Sequence, residues 1–247
     1  MLMNRVIKVA LLLLGVVFIV LQGFAYKAEG DAIGTLMLVL LIVMYLKWTE
    51  DKNRYFIGFL ILFSIGHLLD FYSWYGPAID EGNIDYYYYG VNILSILSYV
   101  FLTIRFASKL KFKKVFAELA IPMVILIILD IFCVVLVTDT TKGALLSAHE
   151  YALEFIYNAI IMTLLSVALI TYMYRNDNKS MLFLIGSICI VFSEIIQLAY
   201  YYIVVDDKEL GFIYAFFLVV AFVFFYLQSQ LPFTGPQPSY SEERLEV

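Results

Sequence analysis

Phe63-Ser64-Ile65-Gly66-His67-Leu68-Leu69-Asp70-Phe71-Tyr72 sets an imidazole and a carboxylate inside an otherwise apolar run. Ionisable groups cost several kcal/mol or more in hydrocarbon, so they persist there only against a protein interior or a wet cavity. Spaced i, i+3, His67 and Asp70 share one helical face. The run therefore reads as a membrane-spanning helix with a polar inward face. The rest of the chain is then read as helices that supply partners to that face, Glu194 first among them.

Composition supports this. The 247 residues are 63% hydrophobic and 15% charged, with a mean hydropathy of +0.90. Soluble domains carry about a quarter charged residues. The apolar runs are about 20 residues long, the length of a helical span, and they are continuous rather than alternating, which excludes a membrane β-barrel. The fold class is all-α, a polytopic transmembrane bundle. Its eight expected spans are 6–24, 32–48, 55–75, 86–106, 115–137, 149–174, 180–204 and 210–228. Loops are short, so consecutive helices are expected as antiparallel neighbours. Residues 1–231 form one transmembrane domain. Residues 232–247, with Pro232, Gly235, Pro236 and Pro238 followed by charge, read as a disordered cytoplasmic tail.

Orientation follows from the basic residues. One side holds Arg5, Lys8, Lys47, Lys52, Arg54, Arg105, Lys109, Lys111, Lys113, Lys114, Arg175, Lys179 and Arg244. The other holds only Lys27, Lys142 and Lys208, beside acidic loops with Glu29, Asp31, Asp80, Glu81, Asp85, Asp139, Asp206, Asp207 and Glu209. Both termini are expected in the cytoplasm, in a plasma or inner membrane. A cleaved signal peptide is the alternative for the first span, ending near Gly23-Phe24-Ala25; the apolar core is long for one. Trp48, Trp74, Tyr75, the Tyr86 to Tyr89 run and Tyr200 to Tyr202 read as interfacial belts, with a lipid-headgroup contact as the alternative for the dense Tyr86 to Tyr89 run. Pro122 kinks the fifth span or marks its first turns. Cys133 and Cys189 read as packed core residues, with no disulfide framework.

The buried polar groups fall at one depth. At 1.5 Å per residue, His67, Asp70, Asn92, Asp130, Glu154, Asn158, Glu194 and Gln197 all lie about 8 to 15 Å from the outer helix ends. Within single helices, Glu150, Glu154 and Asn158 follow i, i+4, i+8, and Glu194 and Gln197 follow i, i+3. Such stripes fit one polar cavity in the outer half. Interhelical hydrogen bonding is the alternative, and the simpler one for Asn92 and Asn158. Two carboxyl groups sharing a buried site hold a proton between them, which sets an acid beside a base; His67 is able to share that proton.

Two histidines, His67 and His149, exclude a three-His zinc site. There is no phosphate-binding glycine loop and no Gly-x-Ser-x-Gly elbow. Spans seven and eight carry no lysine for a retinal Schiff base. No cofactor and no metal are expected, a mixed His/carboxylate site being the one metal alternative left open.

Phe183-Leu184-Ile185-Gly186 followed by Phe192-Ser193-Glu194 resembles the glycine and Ser-Asp span of the YhhN-like, or lysoplasmalogenase, membrane proteins. Gly66-His67 is similar to that family's Gly-Asp helix. Span four, from Gly90 to Phe101, and span six, with Tyr157 and Met162, are loosely similar. The resemblance implies a lipid-active hydrolase that cleaves the vinyl ether bond of a lysolipid. The family's two aspartates correspond to His67 and Glu194, with Asp70 one turn on as a substitute; the family's Lys-Pro in span two has no counterpart. His67, Asp70 and Glu194 are accordingly the expected catalytic residues, with Glu194 as acid and His67 and Asp70 as base and stabiliser. Asn92, Asp130, Glu154, Asn158 and Gln197 are the expected substrate-binding residues. The partner expected is a membrane lipid or lysolipid, with no nucleic acid. A non-catalytic lipid-binding or sensory protein and a proton-coupled transporter are the competing readings.

Overall fold

The structure, a computed structural model, describes residues 2–76, 84–143, 145, 147–205 and 207–232. Asp80, Glu81, Asp206 and the tail from 233 onward, including Arg244, lie outside the described residues. Among the described residues there are eight helices: α1 (Leu2–Gly23), α2 (Lys27–Trp48), α3 (Arg54–Ser73), α4 (Tyr86–Ala107), α5 (Phe112–Thr141), α6 (Ala148–Arg175), α7 (Asn178–Tyr202) and α8 (Lys208–Ser229). All eight are long and apolar enough to cross a membrane. Several run past their apolar cores: α2 starts at Lys27 and α5 ends at Thr141. Hydropathy marks the hydrocarbon, whereas caps and backbone hydrogen bonds decide where a helix stops.

Local chemistry starts the helices. Asn53, Asp85, Ser147, Asp177 and Asp207 each accept hydrogen bonds from backbone N–H groups in the first turn of the following helix. Asp177 and Ser180 form a reciprocal capping box. The α6 end is closed by Asn176 in the left-handed region, φ 48°. In α5 the backbone departs from helical values at Leu119 (φ −121°, ψ 25°), just before Pro122. A proline ring clashes with the carbonyl four residues back and removes one N–H donor, so the bend falls in the preceding turn.

Seven helices close into a ring in the order α1, α2, α3, α4, α6, α7, α8 and back to α1. The exception to sequential packing is α5, which lies outside the ring against α6, while α4 packs directly on α6. Ile121, Val124, Ile128, Ile131 and Phe132 of α5 face outward, as a lipid-facing helix requires. The ring is filled by an aromatic layer: Phe59 and Phe63 of α3, Tyr99 of α4 and Phe222 and Phe225 of α8 are in ring contact. Phe106 stacks on Phe183, linking α4 to α7. Cys189 is buried and Cys133 half-buried, and both thiols are free.

Candidate functional site

Beyond this aromatic layer, toward the end of the bundle that carries Asp31, Asp85 and Tyr202, lies a cavity of about 360 Å³. Helical periodicity explains its lining. From α3 come Phe63, Gly66, His67 and Asp70, with Trp74 at the cap; from α4, Tyr88, Val91, Asn92 and Ser95. From α7 come Glu194, Gln197, Leu198, Tyr201 and Tyr202; α6 adds Glu154 and Tyr157, and α8 adds Leu218. Each set repeats at three or four residues, so each helix turns one face inward.

Of the acids that line the cavity, Glu194 is the most fully held. Tyr99 on α4 donates to its Oε1, and Tyr157 on α6 donates to Oε2 at 2.8 Å. Glu154 is buried and accepts from the Tyr88 hydroxyl at 3.1 Å. The Asn92 amide donates to the Tyr88 carbonyl of its own helix at 2.8 Å. His67 turns Nδ1 into a sealed position without a hydrogen-bond partner, near Gly34 of α2. Phe63 packs on its ring at 4.9 Å between centroids.

Behind the cavity wall sits Asp31, 3% exposed. Its two carboxylate oxygens accept from Trp74 Nε1 at 2.8 Å and from Gln22 Nε2 at 3.1 Å. Asp31, Asp70, Tyr201 and Lys27 lie within electrostatic reach of one another. Lys27 also lies over the Tyr200 and Tyr201 rings, 5.0 and 4.6 Å from their centroids.

The cavity thus brings together six of the residues singled out in the sequence: His67, Asp70, Asn92, Glu154, Glu194 and Gln197. It does not take in Asp130 or Asn158. Asp130 on the outer helix α5 accepts from Ser166 at 2.7 Å. Asn158, 6% exposed, donates to Thr138 at 3.1 Å. Both bonds tie α5 to α6. Depth had grouped these two with the others, but depth carries no angular information, and α5 stands outside the ring.

The sequence did not single out Asp31, Trp74, Tyr99, Tyr157, Tyr201 and Tyr202 as site residues, and it offered Tyr88 only through the headgroup alternative for the Tyr86 to Tyr89 run. Most read as interfacial belt or loop. One signal was present: Tyr88, Asn92, Ser95 and Tyr99 follow i, i+4, i+7, i+11 and share a face with a named candidate. Among the described residues, no group of three His, Cys, Asp or Glu side chains is placed to hold a metal ion. No family model matches the chain, and no curated protein or solved structure matches it either.

Proposed function

We propose that the protein is an integral membrane hydrolase acting on an ether-linked lysolipid, as the lysoplasmalogenase resemblance implies. The observation that carries this reading is convergence: His67 and Asp70 of α3 and Glu194 of α7 line one cavity. Vinyl ether hydrolysis starts with proton transfer to carbon and forms an oxocarbenium ion. Water then adds at the carbon bonded to oxygen, and the resulting hemiacetal breaks to an aldehyde and the glycerol hydroxyl. The reaction requires a proton donor, an anion beside the developing cation and a group that takes a proton from water.

The hydrogen bonds favour a different division of labour from the one read in the sequence. A carboxylate is acceptor-only, and Glu194 accepts at both oxygens. It therefore suits the anion that faces the cation. Asp70, across the cavity, is the better proton donor, with His67 beside it to orient or activate water.

The lining also suits the headgroup. Trp74, Tyr88, Tyr157, Tyr201 and Tyr202, with Asp70, Glu154 and Glu194 and no lysine or arginine, offer aromatic faces and anionic charge to an ammonium group. Asn92 and Gln197 are placed to hydrogen-bond the glycerol portion. The same lining favours a second reading, headgroup binding without turnover. A proton-coupled transporter fits less well, because the Phe59, Phe63, Tyr99 and Phe222 layer closes the ring beneath the cavity.

The deciding experiment incubates the purified protein with a lysolipid panel that includes vinyl ether species and measures released aldehyde. Turnover is expected, and Glu194→Gln and Asp70→Asn are each expected to reduce it at least a hundredfold with the bundle intact. A fully active Glu194→Gln protein removes Glu194 from the mechanism. Binding without aldehyde selects the second reading.

A further inference from the structure

The other end of the ring holds a second polar layer, on the far side of the aromatic fill. One turn beyond Phe59, Phe183 and Phe225 stand Phe56 of α3, Lys179 of α7 and Gln228 of α8, joined by Arg105 of α4, all buried. Arg105 is only 2% exposed. Its guanidinium lies over the Phe56 and Phe106 rings, 4.5 and 5.3 Å from their centroids. Two of its donor nitrogens, Nε and Nη1, are shut off from solvent and have no acceptor. Gln228 is 0% exposed, and neither its amide nitrogen nor its amide oxygen has a partner.

Two further cations belong to this layer. Lys179, 3% exposed, donates to the Leu231 carbonyl at 2.5 Å. Arg175 pairs with Asp177 at 3.1 Å. Lys179 lies within electrostatic reach of Arg105, Arg175, Asp177 and Asp51. Among the described residues, these three cations share one buried carboxylate, Asp177, and one exposed one, Asp51. Buried guanidinium donors without acceptors are rare in folded proteins, because the group loses its water and gains nothing in return. An oxyanion supplies both the charge and the several acceptors that are missing.

We propose that this layer is an anion site that takes a phosphate group. Arg105 engages it through its unpartnered donors, and Lys179 exchanges the Leu231 carbonyl for a phosphate oxygen. The carbonyl occupies the position an anion oxygen would take. The turn that carries it is held by the Leu231 N–H donating to the Gln228 carbonyl at 3.2 Å and by Gln230 Nε2 donating to Thr49 at 2.7 Å. Lys52, Arg54, Lys109 and Lys111 are exposed on the same end and draw anions toward it. The phosphate belongs either to a lipid headgroup of the adjacent leaflet or to a soluble phosphate compound. The proposal is independent of the hydrolase reading.

The test uses the full chain in phosphatidylcholine nanodiscs and follows thermal unfolding. In one arm inorganic phosphate is titrated against chloride at equal ionic strength. In the other, phosphatidic acid replaces part of the lipid. A saturable rise in Tm with phosphate identifies a soluble source, and a rise only with phosphatidic acid identifies the lipid. In either case Arg105→Gln and Lys179→Gln are expected to weaken the response at least tenfold. Should Arg105→Gln fail to fold, Lys179→Gln carries the comparison. No rise in either arm, or an equal rise in the variants, overturns the proposal.

Discussion

Glu194 holds its position through two phenols on neighbouring helices, and that dependence is measurable one atom at a time. Tyr157→Phe removes the donor to Oε2 and leaves a buried carboxylate oxygen unsatisfied, at a cost of about 1 to 3 kcal/mol. Turnover or headgroup binding is expected to fall with it. Asn158→Ala and Ser166→Ala are expected to behave differently. Each breaks one bond between α5 and α6, worth about 0.6 to 1.7 kcal/mol in membrane proteins, and neither touches the cavity. Thermal melts together with an activity or binding assay on the three variants check the contrast. The carboxylates of the cavity were legible in the sequence because a charge in hydrocarbon demands an explanation. Their tyrosine partners were not, because a tyrosine near a helix end satisfies the interfacial pattern equally well. Asp31 gives no such signal for a simpler reason: it lies one residue before the apolar run of the second span, where an acid reads as part of a loop.

At the scale of elements, hydropathy located all eight helices, and the capping residues explain where their ends depart from the apolar runs. The caps are not equivalent. The Asn53 side chain accepts from the Tyr55 and Phe56 N–H groups at the start of α3, and its backbone N–H, which a substitution leaves in place, donates to the Tyr45 hydroxyl. Asp177 caps α7, completes a capping box with Ser180 and pairs with Arg175, whose side chain is 10% exposed. Asn53→Ala is therefore expected to cost about 1 kcal/mol. Asp177→Ala is expected to cost more than that, since it removes the Arg175 ion pair together with the cap. Unfolding of the two variants in mild detergent, measured side by side, gives the difference; equal losses would show that the Arg175 pair contributes nothing beyond the cap. Pro122 is a local case in which the expected kink and the observed non-helical residue, Leu119, agree in place and cause.

The whole molecule depends on which faces meet, and here the sequence was least informative. Helices as apolar as α5 and α8 carry no strong stripe that names a neighbour, so short loops suggested a simple succession. The ring instead skips α5, and the polar stripes of α3, α4, α6 and α7 meet only because it does. Ring closure also separates an acidic cavity from a basic layer by an aromatic fill, which makes orientation a functional matter. By the positive-inside rule, the excess of lysine and arginine on the Arg105 end predicts that this end faces the cytoplasm and that the cavity opens toward the outer leaflet. Inverting the bundle would carry Lys109, Lys111, Lys113 and Lys114, all exposed beside the α4–α5 connection, across the bilayer. A charge at the helix centre costs about 2.5 to 3.5 kcal/mol even on the mildest insertion scale, and four such charges pass together. Labelling measures the outcome. In a background with Cys133→Ser and Cys189→Ser, single replacements Lys109→Cys and Lys142→Cys stand at exposed positions on opposite ends. A membrane-impermeant maleimide is expected to reach Lys142→Cys in intact cells and Lys109→Cys only after permeabilisation. The reverse pattern would turn the cavity toward the cytoplasm and place the proposed lipid substrate in the other leaflet.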